Sequence, residues 1–309
     1  MGIYENLATF QGKPVVDYDP IKGIEQLQTC VYRLRLDYKA YEDGAKLTDQ
    51  LALFYQDPNA SQVEALIIGI FSYYDDASND SIEVIVSSLS QASPRLPRLK
   101  ALFIGDITSE ENEISWIQQG DVSPILEAYP QLEYFRVRGG NDLSLGKLVH
   151  THLKTLIVET GGLPGNVIQE VSQAELPALE HLELWLGEEN YGFDASIQDL
   201  EPLLHNNPFP KLKYLGLRDS QLADELAIAL TNAPVLGQLD TLDLSLGTLS
   251  DKGAQALLDN PAIQRLRLLD LHHHYISKEM MEKLQQLGTQ IDLSNQKKEE
   301  RYRYIAVSE

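Results

Sequence analysis

Cysteine is nearly absent from this chain: Cys30 is its one cysteine in 309 residues. No internal disulfide can form, and a reducing compartment fits. Basic residues are scarce too. The 25 Lys and Arg stand against 46 Asp and Glu, for a formal net charge of −21. Such a surface repels phosphate backbones and anionic lipid, so nucleic acid and membrane are excluded as expected partners and basic groups are favoured. No apolar run approaches the ~18 residues of a membrane-spanning helix. The opening MGIYENLATF has neither the basic region nor the apolar stretch of a secretory signal, and Asn6 stands where a myristoylation signal carries Ser or Thr. The expected setting is therefore soluble and cytoplasmic. Catalytic signatures are also missing: there is no G-x-S-x-G, no P-loop and no H-E-x-x-H, and Cys30 lacks a local reactive motif. Gly161–Gly162 follows a strand-like run without the G-x-G-x-x-G spacing, so it reads as a turn. No enzymatic reaction and no cofactor is expected.

What the chain does have is a period. LKYLGLRDSQLADELAIALTNAP, LDTLDLSLGTLSDKGAQALLDNP and LRLLDLHHHYISKEMMEKLQQLG start at Leu212, Leu239 and Leu266, 27 residues apart, with apolar residues at relative positions 1, 4, 6 and 11. A fixed period of this size marks a solenoid of like supersecondary units. The L-x-x-L-x-L spacing followed by a helical pattern resembles the leucine-rich repeat in its longer form, with one helix per turn. Counting back and forward gives about ten strand starts, at Val31, Val63, Leu99, Leu132, Leu153, Leu179, Leu212, Leu239, Leu266 and Gly288. Ser250 and Ser277 are placed to cap the helices DKGAQALLDN and KEMMEKLQQLG. Further helices are expected in SIEVIVSSLSQA, PILEAY, VIQEVSQA and SIQDLEPLLHN. Prolines 97, 130, 177, 210, 234 and 261 recur just before strands, where they stop the preceding helix. The expected fold is α/β: a right-handed βα superhelix with a curved parallel sheet on the concave face and helices on the convex one. One domain spans 1–309. Residues 1–30 form an irregular N-terminal cap, 31–295 the repeats, and 296–309 either an extended segment closing the C-terminal edge or a free tail.

GDITSEENEISWI, ETGGLP, LEHLELWLG, LGLRDS, DLSLGTL and RYRYIAVSE resemble a bacterial family of cytoplasmic leucine-rich repeat proteins. The likeness covers nearly the whole chain. It implies the horseshoe fold and supplies no catalytic residues. Because members can be encoded near ATP-grasp and radical-type biosynthetic enzymes, it also implies a place beside a pathway.

With positions 4 and 6 turned to the helices, positions 3, 5 and 7 point to the concave face. Parallel sheets are usually covered on both sides, so a polar inner face suggests a binding surface. Asp243 and Asp270 hold the same position on adjacent strands, ~4.8 Å apart, with Asp292 extending the row, Glu183 further along it and His272 on the same face. Such a cluster can grip Lys or Arg from a partner, or hold a divalent cation through Asp243, Asp270 and His272. An exposed acidic face is the plain alternative. A second group gathers Trp185 with Arg136, Arg138, Glu183, Tyr214 and Arg218, residue types that dominate interface energetics. Stacking and ion pairing within the chain is the alternative there. In His272–His273–His274, strand alternation prevents all three from meeting one ion, so structural roles are expected. The acidic insertion Glu110, Glu111, Glu113 ends in Trp116 and Ile117, which should tuck against the solenoid. An apolar patch around Ile67 and Phe103 should be covered, by a partner or by that insertion. The sequence thus predicts a non-enzymatic module that binds a protein or peptide with basic groups on its concave face. The competing readings are a metal-dependent or pathway-associated activity and a scaffold for neighbouring enzymes.

Overall fold

All ten strand segments marked by the leucine spacing form strands, and two more precede them. The structure is a computed structural model describing residues 2–73, 80–206, 208–298 and 301–309. Its strands are β1 (Thr9–Phe10), β2 (Lys13–Asp17), β3 (Val31–Leu34), β4 (Ala65–Gly69), β5 (Ala101–Asp106), β6 (Tyr134–Arg138), β7 (Thr155–Glu159), β8 (His181–Gly187), β9 (Tyr214–Ser220), β10 (Thr241–Asp243), β11 (Leu268–Asp270) and β12 (Gln290–Asp292). They lie in one open sheet in sequence order. β1 and β2 are antiparallel, and every later pair is parallel. This is an α/β solenoid. Among the described residues no helix is long and apolar enough to cross a membrane.

The repeat leucines build the core between sheet and helices. Leu242 and Leu244 from the eighth coil are at most 1% exposed, as are Ala254 and Leu257 of the helix Asp251–Leu258. Ser250 caps that helix by accepting from the Lys252 N–H, and Ser277 caps Lys278–Leu284 by accepting from Met280. Gly288, at φ +80°, turns the chain out of the last helical stretch, a conformation that costs glycine little. The helices Tyr38–Glu42 and Leu47–Gln56 fill the first connection, which the sequence reading left unassigned.

Four expectations need correcting. First, the initial coil is displaced by two residues: Arg33 pairs with Ile67, so Tyr32, Leu34 and Leu36 supply its buried positions. The period of two keeps Arg33 and Arg35 on the same face. Second, the N-terminal cap contains the β1–β2 hairpin, and it is this segment that covers the apolar patch. Phe10 and Leu7 pack on Ile67, Phe103 and Tyr134, with the Phe10 and Tyr134 rings edge to face at 5.2 Å. Neither a partner nor the acidic insertion is needed there. Third, Trp116 stays 65% exposed; Ile114 and Ile117 are the residues that tuck in. The insertion is tied down by charge instead, through the ion pair of Glu111 with Arg35.

Fourth, 301–309 neither pairs with β12 nor runs free. It crosses the C-terminal ends of the strands, burying Ile305, Ala306 and Val307, and packs Ala306 and Val307 with Ile114 and Trp185. Apolar burial explains the choice, since β12 offers a short, partly exposed edge while the strand ends offer an indole face. The histidine run also departs from simple alternation, because β11 ends at Asp270 and His273 takes a left-handed φ of 60°. His274 is fully buried, with its Nε2 at 3.1 Å from the Leu293 carbonyl oxygen.

Candidate functional site on the concave face

Strand register sets the site. Glu183 pairs with Gly216, Gly216 with Asp243, Asp243 with Asp270, and Asp270 with Asp292. Four carboxylates therefore share one row, interrupted by a glycine. That gap is filled by a neighbour: a Cβ on Gly216 would meet the Tyr214 ring at 3.0 Å and Glu183 Cγ at 3.2 Å. One position further along each strand face, Trp185 pairs with Arg218.

Into this gap reach Tyr214 and Arg218. The Tyr214 hydroxyl donates to Asp243 Oδ2 at 2.6 Å and lies 3.3 Å from Glu183 Oε2. Its ring stacks on His181 at 3.8 Å. The Arg218 guanidinium donates from Nη1 to Glu183 Oε1 at 2.8 Å and from Nε to Ser245 Oγ at 3.0 Å, with Asp243 Oδ2 at 3.3 Å. It also lies 5.1 Å over the Trp185 ring, whose indole N–H donates to Glu183 at 2.7 Å. Burial pushes the Glu183 carboxyl up, but the His181 hydrogen bond, the Arg218 charge and the Trp185 indole outweigh it and hold it at about 2. Asp243 goes the other way: burial raises it beyond what Arg218 and its hydrogen bonds recover.

The predicted residues thus divide into three groups. Glu183, Trp185, Tyr214, Arg218 and Asp243 form one connected network, in which Trp185 is 8% exposed and Asp243 3%. Asp270 and His272 form the adjoining pair, with Nδ1 at 2.7 Å from Oδ1. That contact raises the imidazole pKa. Arg136 and Arg138 belong elsewhere. Arg138 is 2% exposed and donates to Glu159 Oε2 at 2.8 Å and to the Ile107 carbonyl; Arg136 donates to Glu159 Oε1 at 2.6 Å and lies over the Phe103 ring. Arg138 and Trp185 are therefore held by intramolecular contacts and are not surface anchors.

For a cation, the ligand set differs from the one the sequence suggested. Among the described residues Asp270, His272 and Asp292 each offer a ligand atom within 4.8 Å of the others. Asp243 is not part of that group, because its oxygens are engaged by Tyr214, Arg218 and the Ser245 N–H. Sequence reasoning missed Asp219, which is fully buried at the end of β9 and takes a left-handed φ of 51°. It is the last residue but one of that strand, past the positions that the apolar period marks.

No protein-family model matches the chain, and neither does any curated protein. A Bacteroides fragilis protein, solved as a structural genomics consortium target, is similar at 34% identity over 89% of this chain and 76% of its own, with a TM-score of 0.81. The chain belongs to a bacterial family of leucine-rich repeat proteins. An internalin from Listeria monocytogenes is a much more distant likeness, at 18% identity over 77% of this chain and 57% of its own, with a TM-score of 0.37. In this leucine-rich repeat protein the N-terminal segment packs over the inner face of β4, β5 and β6, while Asp270, His272 and Asp292 stay at least partly exposed.

The network carries a pH prediction. Glu183 titrates in the fold at about 2, below its ordinary value of ~4.3, so its stabilising contribution is present above that value and is lost as pH falls towards 2. His272 has the opposite sign: its contribution is complete below pH ~6.5 and fades as pH rises through the elevated value. Urea midpoints measured between pH 7 and 3 should drop below about pH 4.5 in the native protein. That part of the drop should flatten in Glu183→Gln, and an unchanged slope would contradict the network.

Proposed function

We propose that this protein is a non-enzymatic recognition module whose concave face binds a protein or peptide presenting Lys or Arg. Solenoids of this kind commonly use their extended inner face for binding. The observation that carries the reading is the imbalance across β8 to β12: Glu183, Asp243, Asp270 and Asp292 share that part of the face with one strand guanidinium, Arg218. Glu183 and Asp243 already share it. Asp270 and Asp292 are left to attract a cationic side chain, with His272, Tyr214 and the partly exposed face of Arg218 beside them. The partner meets a surface prepared by the rigid Glu183–Arg218–Asp243 network, which needs no reorganisation on binding.

A second reading, a divalent cation held by Asp270, His272 and Asp292, is favoured by their mutual spacing. One experiment separates the two. A Lys- and Arg-bearing peptide library and, separately, Zn²⁺ and Mn²⁺ are titrated against native protein and Asp270→Asn. The recognition reading expects selective peptide capture that weakens at least tenfold in Asp270→Asn and falls with salt, because the charges are exposed enough to be screened. Cation binding that vanishes in Asp270→Asn, with no peptide selected, would transfer the site to the second reading. Peptide capture indifferent to Asp270→Asn and to Arg218→Ala would overturn the first.

A further inference from the structure

Asp219, Leu246 and His273 occupy one repeat position, 27 residues apart, at the ends of the strands in three successive coils. All three are non-glycine residues with left-handed φ, of 51°, 67° and 60°. The equivalent residue of the fourth coil is Gly139, at φ 113°. Asn295 repeats the position and the conformation in the last coil, at φ 59°, so the left-handed turn belongs to the repeat; what sets Asp219, Leu246 and His273 apart is a contact with the segment 303–307. Asp219 Oδ1 accepts from the backbone N–H of both Ala306 and Val307 at 3.0 Å. The Leu246 carbonyl accepts from Ala306 at 2.8 Å, and His273 Nε2 lies 3.4 Å from the Tyr304 carbonyl oxygen. The segment is held by its main chain, as an extended peptide is held in a groove, with Arg303 anchored on Asp224 at 3.0 Å.

We infer that this track of strand ends is a second binding site, built for an extended segment of another protein carrying an Arg followed by a short run of small and β-branched apolar residues, and that 303–307 fills it in cis. It lies apart from the carboxylate row and stands whether or not the reading of that row holds. Main-chain recognition is indifferent to most side chains, so a foreign segment of this chemistry meets the same receptors. The fit of the resident segment is also incomplete: Asp219 Oδ2 is buried with no hydrogen-bond partner among the described residues. An unmet buried acceptor weakens the cis contact and leaves a better-matched segment room to compete. Displacement would uncover Trp185, Ile114 and Leu246, the apolar faces on which Ala306 and Val307 now rest.

The test uses full-length protein with Trp116→Phe, leaving Trp185 as the one tryptophan of the two in the sequence. Ala306→Asp, which sets a carboxylate against Asp219, releases the segment. Acrylamide quenching of Trp185 should rise several-fold. The acetylated peptide Arg-Tyr-Ile-Ala-Val-Ser should then bind at least tenfold more tightly than to protein without Ala306→Asp and restore the quenching, and adding Asp219→Ala should abolish binding. Asp270→Asn should leave it unchanged, which keeps this result separate from that of the carboxylate row. A folded Ala306→Asp protein that exposes Trp185 and ignores the peptide overturns the proposal, as does unchanged quenching. Dimerisation of the native protein through exchanged segments would assign the track to a second copy and overturn a foreign occupant. Should Ala306→Asp not fold, hydrogen exchange in the native protein decides. Amides of 306 and 307 exchanging at least tenfold faster than those of Leu242 and Leu269 support a segment that opens, whereas equal protection overturns it.

Discussion

Replacing Arg138 with alanine is expected to cost about 3–5 kcal/mol, the range for removing one partner of a buried ion pair. Arg138 is 2% exposed, and its guanidinium answers Glu159 at 2.8 Å and stands 3.9 Å from Asp106. Neither carboxylate can turn to water, since Glu159 is 2% exposed and Asp106 is fully buried. The substitution therefore opens a hole and leaves Glu159 with Arg136 alone, and Asp106 with Arg33 alone, to balance buried negative charge. Arg138→Met should cost nearly as much, because it keeps the volume and still removes the charge. The double change Arg138→Met with Glu159→Gln should recover part of the loss. Urea denaturation of the variants would check this, and a loss below ~1 kcal/mol for Arg138→Ala would mean that the pair is hydrated.

Gly187→Ala is the second large effect. Gly187 ends β8 at φ +73°, and a Cβ there would lie 1.9 Å from the Gly161 carbonyl oxygen and 2.5 Å from the Gly162 nitrogen. The obstacle is backbone on both sides, with no flexible side chain to yield. Gly162 and Gly187 are bridged across this point, and Leu163 donates to the Leu186 carbonyl at 2.8 Å beside it. The left-handed conformation and the overlap together should cost about 3 kcal/mol or more. Because the loop after β7 must move, the displacement should reach Trp185, whose carbonyl accepts from Thr160 at 2.9 Å. A lowered thermal midpoint accompanied by greater quenching of Trp185 is the expected pair of results. By contrast, a Cβ at Gly237 meets nothing, so Gly237→Ala is the matched control.

Much of this architecture was legible in the leucines. Spacing at positions 1, 4 and 6 located ten strands and assigned the inner-face residues, because a parallel sheet under one layer of helices forces alternate residues apart. It placed Glu183, Asp243, Asp270 and Asp292 on one row, with Trp185 opposite Arg218. What it could not give was cover. Phe10 over Phe103, and Ala306 and Val307 over Trp185, are contacts between segments some 90 to 120 residues apart in sequence, and apolar complementarity carries no address. For that reason Trp185 and Arg138 looked like exposed anchors and are buried. The first coil misled for a different reason: VYRLRL offers both Tyr32 and Leu34 for the fourth position of the repeat, and only pairing with β4 decides between them. Asp219 carried no signal, since it lies past the positions that the repeat marks and its part appears only with 303–307 in place.

The two chain ends also change how the stack should come apart. A plain solenoid behaves as a row of units coupled to nearest neighbours, and it frays from its outermost turns. Here the N-terminal arm reaches as far as Tyr134 and Asp106, the segment 301–309 reaches back to Gly161 and Tyr191, and the Glu309 carbonyl oxygen would lie 2.6 Å from a Cβ on Gly2. First and last turns are thereby linked to the middle and to each other. Melting should then resemble the parting of a loop, in which local fraying at either end gives way to a single concerted transition.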